Sequence, residues 1–190
     1  MKRFHHKVFL DFDHEFDNKA QAGKGSPAQY AAAYRHIHKV FQAAGVKNVI
    51  WTWVTTGDVY HAHFLKAAYP GAKYVDWIGY DPYNWYGCRR TRSFSPRYIF
   101  GRYYHWVRHQ RGMKHKPMML GEYASGPGPA AGTWYSHVAR ALHHLPRIKA
   151  VMEWSSGGSR CDFRLNSSAS VMRGFAKSGH SRYITGARHR

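Results

Sequence analysis

The sequence predicts an α/β protein of the (β/α)8 TIM-barrel type, truncated to about five βα units. Five strand-like runs alternate with five helical patterns along the 190 residues. The strands end near residues 15, 54, 83, 122 and 154, so that successive ends are 39, 29, 39 and 32 residues apart. A barrel of about 250 residues uses roughly 31 for each unit. The spacing therefore fits a barrel that lacks three units.

The five strand-like runs are short, rich in β-branched and aromatic residues, and bounded by turn residues. They cover residues 8–12, 48–54, 74–80, 116–123 and 150–154. The second run stops at Thr56-Gly57, and the third follows the turn Pro70-Gly71. Runs of this length that alternate with helices are typical of a parallel sheet with crossover connections.

Helical patterns fill the intervals between the strands. They cover residues 27–44, 58–68, 96–110, 133–145 and 168–177. The first begins at Ser26-Pro27, an N-cap followed by a first-turn proline, and ends at Gly45. We expect one partial-barrel domain over residues 1–177, and a basic, mobile tail over residues 178–190.

An open doubly wound sheet is the structural alternative. Such a sheet would usually carry a glycine-rich phosphate loop after its first strand, where this sequence has His14-Glu15-Phe16-Asp17. The segment Gly126-Pro127-Gly128 is a poor phosphate loop, because proline has no amide N–H to donate. The barrel interpretation is therefore favoured.

The composition narrows the class of protein. The chain carries 29 Lys+Arg against 10 Asp+Glu, a formal charge of +19, which permits binding to polyanions. Its first residues, basic but followed by only three apolar positions, do not form a signal peptide. The two cysteines, Cys88 and Cys161, exclude a disulfide scaffold and a four-cysteine zinc site. They would pair in an exported protein and be free thiols in the cytosol.

The acidic residues point to a site. Four of the ten lie within seven residues, at Asp11, Asp13, Glu15 and Asp17, where a strand ends. The other strand ends also carry polar or aromatic residues: Trp53, Asp81, Tyr83, Glu122, Glu153 and Trp154. Parallel α/β proteins place their sites at these ends. Two carboxylates among aromatic rings suit a sugar, because one protonates the leaving oxygen and the other attacks the anomeric carbon.

Five motifs in this order resemble glycoside hydrolase family 26, the β-mannanase family. The resemblance covers residues 8–176 and corresponds to strands 4–8, the C-terminal part of the catalytic barrel. The motifs are His14-Glu15-Phe16-Asp17, Asn48-Val49-Ile50-Trp51-Thr52-Trp53, the run from Tyr74 to Asn84, the run from Lys116 to Tyr123, and Ile148 to Trp154 with Asp162-Phe163-Arg164.

The resemblance implies a role for each of several residues. Glu15 would be the general acid/base and Glu122 the nucleophile, with carboxyl groups about 5–5.5 Å apart as in a retaining pair. Tyr83 would orient the nucleophile, and His14 would contact substrate or support the acid. Trp154 would stack on a sugar ring, and Trp53 is expected to bind substrate too.

Two departures from the family pattern affect the acid. Asp11 stands where the family usually has Arg, and Asp17 stands where it usually has Asn. Like-charge repulsion from nearby carboxylates raises the pKa of a carboxyl group. We therefore expect Glu15 to titrate above Glu122.

The function implied by the resemblance is that of a retaining endo-β-glycanase, β-mannanase-like, acting on mannan or another β-1,4- or β-1,3-linked polysaccharide. It would be secreted, and its activity would be weak or absent without strands 1–3. Two alternatives stay open: a non-catalytic carbohydrate-binding form of the same fold, and a cationic polyanion-binding protein. No cofactor or metal is expected, because the histidines lack carboxylates at ligand spacing. Neither a membrane nor nucleic acid is an expected partner.

Overall fold

The computed structural model describes residues 2–18, 23, 25–158 and 161–186. Its strands are β1 Val8–Asp11, β2 Val49–Thr55, β3 Trp77–Tyr80, β4 Tyr83–Asn84, β5 Met118–Ser125 and β6 Ile148–Glu153. Its helices are α1 Pro27–Ala43, α2 Ala62–Ala68, α3 Pro96–Arg108, α4 Ala131–Ser136, α5 Val138–His143, α6 Ala169–Gly179 and α7 Arg182–Thr185. Short 3₁₀ helices cover Val59–His61 and Leu165–Ser167.

The strands form one parallel sheet in the order β1-β2-β3-β5-β6, and the short β4 pairs with the end of β5. This sequential order with intervening helices makes a curled sheet, half of a (β/α)8 barrel, as the sequence predicts. Among the described residues, β1 pairs only with β2 and β6 pairs only with β5. The half-barrel is therefore open along both outer strands.

Local signals begin the helices where the sequence places them. The Ser26 hydroxyl accepts a hydrogen bond from the Gln29 amide, and the Gln29 side chain accepts one from the Ser26 amide. This reciprocal capping box satisfies two amides that α1 leaves unpaired. The Ser95 hydroxyl caps α3 by accepting a hydrogen bond from the Tyr98 amide, with Pro96 in the first turn. No helix in the described part of the chain is long and apolar enough to cross a membrane.

Aromatic side chains make up much of the core between the sheet and the helices. Trp53, Tyr34, Tyr80 and Phe100 are fully buried. The buried hydroxyls find main-chain acceptors: Tyr34 donates to Thr52 and Tyr80 to Phe100, at 2.8 and 2.7 Å. These bonds tie α1 to β2 and β3 to α3. The helix layer is thus fixed against the strand ends that carry the site.

Two sequence predictions need correction. The helix predicted over residues 133–145 is two short helices, α4 and α5, joined at His137. The predicted start of the tail at Ser178 is too early, because α6 continues to Gly179 and the Ser178 side chain is buried. The Ser178 hydroxyl donates to the Tyr135 carbonyl at 2.6 Å and accepts from the Ala139 amide. Residues 187–190 of that tail lie outside the described residues.

The contact between α4 and α6 supplies a stability test. A Cβ at Gly174 would collide with the Gly132 carbonyl, whereas one at Gly179, in the same helix, meets nothing within 4 Å. We expect Gly174→Ala to lower the free energy of unfolding by about 1–3 kcal/mol, because backbone cannot yield as a side chain does. The matched control Gly179→Ala should stay within about 1 kcal/mol of the unchanged protein. Urea unfolding measures both, and equal stabilities of the two variants would contradict the packing described.

Candidate active site

The turn after β1 holds Glu15 in an uncommon backbone conformation. Asp13 and Glu15 have φ angles of 55° and 51°, a region that residues other than glycine seldom adopt. The Asn18 amide donates to the Glu15 carbonyl at 2.8 Å, and the Asn18 side chain donates to Glu15 Oε2 at 2.7 Å. Strained residues persist where surrounding contacts fix them, and they cluster at functional sites. The turn thus presents the Glu15 carboxyl group in one orientation.

Glu122 lies at an irregularity in β5. Leu120 pairs with Val151 and Tyr123 with Glu153, so three steps along β5 match two steps along β6. An extra residue of this kind is a β-bulge, which redirects a side chain beside many active sites. Here the bulge contains Glu122. The carboxylate faces the cleft, although its neighbours along the strand are buried.

His14 lies at the centre of the acidic groups. Its Nδ1 is 2.8 Å from Asp11 Oδ2, and its Nε2 is 3.1 Å from Asp81 Oδ2 and 3.2 Å from Glu122 Oε1. Hydrogen bonds to Asp11, Asp81 and Glu122 raise the pKa of His14 from 6.5 to about 12, against the opposing effect of burial. At neutral pH the ring is therefore an imidazolium that donates from both nitrogens.

Glu122 is held as the ionised partner. Burial acts to raise its pKa, but hydrogen bonds from His14 and Tyr83 outweigh that and hold the pKa below the usual 4.5. The Tyr83 hydroxyl donates to Glu122 Oε2, and His14 donates to Oε1. Each carboxylate oxygen thus has a donor. Such an arrangement suits an anion that must stay charged until it reacts.

Glu15 has the opposite electrostatic environment. Burial raises its pKa above the usual 4.5, and the charges of Glu122 and Asp17 add to the effect, while the Asn18 hydrogen bond and the His14 charge oppose it. The expected order, with Glu15 titrating above Glu122, is confirmed in direction. Its main cause is burial rather than the neighbouring aspartates. Asp17 instead accepts hydrogen bonds from the Thr56 amide and hydroxyl, at 2.9 and 2.7 Å, and fastens the turn to β2.

A cavity of about 400 Å³ opens above these groups. Both glutamates line it, with Tyr83 and with three apolar walls, Trp85, Phe163 and Trp154. Trp154 is 45% exposed, so its ring is available to a ligand. Tyr83 stacks on Trp85 with ring centres 5.0 Å apart. The cavity thus combines a carboxyl group whose pKa is raised, a second whose pKa is lowered, and exposed aromatic faces.

A disulfide joins two loops at the rim of this cavity. Cys88 follows β4 and Cys161 follows β6, and their Cα atoms are 5.3 Å apart. The pairing that the sequence left open is thus present in the structure. It connects the loop carrying Trp85 and Arg89 to the loop that precedes Phe163.

Five of the six site residues expected from the sequence come together here: Glu15, Glu122, His14, Tyr83 and Trp154. Trp53 does not, and the expectation that it binds substrate is wrong. Its side chain is fully buried, with its ring 5.6 Å from that of Phe16 and 5.3 Å from that of Tyr69. Both faces of β2 are buried at this point, so Trp53 belongs to the core.

Asp81 and Arg89 belong to the site although the sequence did not assign them to it. Asp81 follows β3, and burial raises its pKa to about 7 while the hydrogen bond from His14 opposes the rise. Its place at a strand end was the available signal. Arg89 lies in the cavity wall with its guanidinium 4.2 Å from the centre of the Trp85 ring. Nothing in its sequence neighbourhood distinguishes it from the other arginines.

His14, Glu15 and Asp81 bring ligand atoms within 4.8 Å of one another, a spacing that a metal ion could bridge. However, a histidine ligand must offer a neutral nitrogen. Both nitrogens of the His14 ring already contact carboxylates, Nδ1 that of Asp11 and Nε2 those of Asp81 and Glu122. These residues therefore fit an ion-pair network better than a metal centre.

The charge on His14 can be tested directly. Because its pKa is raised, its contribution to stability is complete below pH 6.5 and is lost as pH rises toward 12. We expect the imidazole ¹⁵N shifts of His14 to show both nitrogens protonated from pH 5 to pH 9. Asp11→Asn removes the strongest contributor and should bring the titration to lower pH. Asp58→Asn, at an exposed residue outside this network, is the control, and a wild-type His14 that titrates near 6.5 would contradict the assignment.

Comparisons with known proteins show which family the chain is similar to. The model of glycosyl hydrolase family 26 matches residues 16–97. Over 150 residues, the chain is 28% identical to Endoglucanase H of Acetivibrio thermocellus, a match that covers 75% of this chain and 16% of that protein.

Solved structures show the same fold. The catalytic domain of an endo-β-1,4-mannanase of family 26 from Bacillus sp. JAMB-750 superposes with a TM-score of 0.71 and 18% identity, over 95% of this chain and 52% of that one. A family 26 β-mannanase from Bacteroides ovatus gives a TM-score of 0.65 and 19% identity, over 94% and 51%. The chain thus spans about half the length of these solved relatives. Sequence and fold together confirm its resemblance to glycosyl hydrolase family 26, over about half of a catalytic domain of that family.

Proposed function

We propose that this chain carries the catalytic pair of a retaining glycoside hydrolase that cleaves internal β-glycosidic bonds of a polysaccharide. One observation carries the proposal: two glutamates line one cavity, and their surroundings drive their pKa values apart, upward for Glu15 and downward for Glu122. Opposite shifts in a carboxyl pair identify an acid and a nucleophile. The match to the family model and the shared fold support the same reaction class.

The proposed reaction has two balanced steps. A Glu122 oxygen attacks the anomeric carbon, the glycosidic C–O bond breaks, and Glu15 gives its proton to the leaving oxygen. A water molecule then attacks the anomeric carbon, transfers one proton to Glu15 and releases Glu122. Two displacements at the same carbon retain its configuration. Tyr83 and His14 hold the attacking carboxylate through hydrogen bonds to its two oxygens.

The imidazolium of His14 has two roles in this scheme. It lowers the pKa of Glu122 before attack. It also opposes protonation of Asp81, whose Oδ2 lies 3.1 Å from His14 Nε2. Asp11 holds the other nitrogen at 2.8 Å and so fixes the ring plane. His14 is therefore a positioning residue for the nucleophile in this proposal.

We propose β-1,4-mannan as the first substrate to try, because both solved relatives named above are β-mannanases. Trp154, Trp85 and Phe163 would stack on the sugar rings. Export from the cytosol forms part of the proposal and is supported by the Cys88–Cys161 disulfide, since such bonds persist in oxidising compartments. A carbohydrate-binding protein without turnover is the second candidate, favoured by the open edge of β1 beside Glu15.

The roles of the two glutamates are distinguished by leaving-group dependence. On mannan, we expect Glu15→Gln to lower kcat/KM by about 10²–10⁴-fold, and Glu122→Gln to abolish turnover. On a 2,4-dinitrophenyl β-glycoside, whose leaving group needs no proton, Glu15→Gln should retain the first step and Glu122→Gln should not. The wild-type pH profile should have its acid limb below pH 4.5, from Glu122, and its alkaline limb above it, from Glu15.

Glu153→Gln is the matched control. Glu153 lies on β6 and accepts a hydrogen bond from the Tyr135 hydroxyl at 2.9 Å, away from the cavity. The substitution Glu153→Gln makes the same chemical change as those at Glu15 and Glu122 and should leave the leaving-group dependence unaltered. Reducing-sugar release is measured in parallel on β-1,4-mannan, β-1,4-glucan and β-1,3-glucan. Binding to any of them without release would favour the second candidate, and neither binding nor release would contradict the proposal.

A further inference from the structure

A second cavity of about 260 Å³ continues the first one. The two share the wall formed by Thr56, Asp58, Asp81, Tyr83 and Trp85. The first contains Glu15 and Glu122, whereas the second contains Arg90 and Arg102. Beyond the catalytic pair, the cleft therefore has an arm whose side chains carry positive charge. We name the second cavity the arginine arm.

The two guanidinium groups of the arginine arm are available to a ligand. Arg102 lies over the ring of Tyr60 at 5.0 Å, and Tyr60 itself is 75% exposed. Neither Arg90 nor Arg102 forms an ion pair or hydrogen bond through its side chain with the described residues. Among those residues, Arg164–Asp162 is the one arginine–carboxylate pair within 4 Å. A guanidinium presents a planar fork of donors that matches carboxylate, sulfate and phosphate oxygens.

The loop that carries Arg90 is fixed in place. The Arg90 and Arg89 amides both donate to the Trp85 carbonyl at 3.0 Å, and the Gly87 amide donates to the Arg90 carbonyl at 3.0 Å. Cys88, between them, forms the disulfide with Cys161. Arg102 is held by α3, a regular helix. Side chains on rigid elements lose less freedom when a ligand binds.

The acidic residues of the arginine arm, Asp58 and Asp81, form no ion pair within 4 Å with its arginines. Asp58 is exposed, and its Oδ1 accepts the Tyr60 amide at 3.0 Å as the cap of a 3₁₀ turn. Asp81 is buried and pairs with the His14 imidazolium. Phe94 and Tyr98 stack with centres 4.8 Å apart and add apolar surface suited to a sugar ring. The arm thus combines aromatic faces with unpaired positive charge.

We propose that the arginine arm is a subsite for a sugar that carries an anionic substituent, so that the substrate class is an acidic β-linked polysaccharide. This rests on the proposed function, because it places the charged sugar next to the one that Glu15 and Glu122 cleave. A carboxylate at C6, as in a uronic acid, and a sulfate or phosphate ester present the same oxygen chemistry to Arg90 and Arg102. The neutral polysaccharide is then the weaker ligand of the site.

A matched set of oligosaccharides tests the subsite. The hexamer of β-1,4-linked mannose, the hexamer of β-1,4-linked mannuronate and the 6-O-sulfated mannose hexamer differ only at C6. Calorimetric titration of the full chain measures the affinity of each, and mass spectrometry of the same samples detects cleavage. We expect at least one anionic hexamer to bind about tenfold more tightly than the neutral one. Which anionic hexamer wins identifies the substituent.

Single substitutions distinguish the arm from the general charge of +19. Arg90→Gln and Arg102→Gln should each weaken binding of the anionic hexamer about fivefold more than binding of the neutral one. Arg111→Gln is the control, since it removes the same charge at an exposed residue beyond α3 that does not line either cavity. All three variants should have the same Tm as the wild-type protein, which shows that they are folded. The double variant Arg90→Gln/Arg102→Gln repeats the test with a larger expected effect.

Each outcome is decisive. Equal affinity for neutral and anionic hexamers overturns the proposed subsite. Cleavage of any of the hexamers separately supports the proposed function. Equal loss from Arg111→Gln and Arg102→Gln, or an affinity for a single-stranded DNA oligonucleotide matching that for the anionic hexamer, overturns it in favour of nonspecific polyanion binding. Anionic selectivity without cleavage supports the subsite and fails the proposed function.

Discussion

The site depends on one interaction, the imidazolium of His14 among three carboxylates. His14 comes from the turn after β1, Asp81 from the end of β3 and Glu122 from β5, so that the ring links three strand ends. Three carboxylates could not approach so closely and all stay charged without a cation between them, because a buried carboxylate would take up a proton instead. With His14 charged, the pKa of Glu122 at the cleft is held below its usual value, while burial raises the pKa of Glu15.

The backbone irregularities serve that network. Glu15 reaches the cleft through a left-handed turn, and Glu122 reaches it through a bulge in β5. Regular strand geometry would point alternate side chains to opposite faces and would leave no freedom to aim two carboxyl groups at one point. The hydrogen bonds of Asn18 and Asp17 hold the turn, and the pairing of β5 with β6 on both sides holds the bulge.

Around this centre the cleft is chemically asymmetric. Glu15 and Glu122 line only the part above the strand ends, and Arg90 and Arg102 line only the part beside α3 and the loop after β4. The disulfide between Cys88 and Cys161 connects the two parts of the cleft. One of its loops carries Arg89 and Arg90, and the other leads to Phe163. A chain of charge +19 with ten acidic residues thus gathers several of them in one cavity.

The sequence by itself determined the order of strands and helices and the placement of Glu15, Glu122, His14, Tyr83 and Trp154 at strand ends. These follow from local signals: apolar runs, caps such as Ser26-Pro27, and motif order. Only the tertiary structure decided that Trp53 is core, because β2 is buried on both faces and alternation along the strand carries no information about which face meets the cleft. It also decided that Asp81 pairs with His14, that Cys88 pairs with Cys161 and that Arg90 and Arg102 share a cavity. Each of these joins residues distant along the chain, and the distance between such residues is set by the packing of helices on the sheet rather than by any local preference.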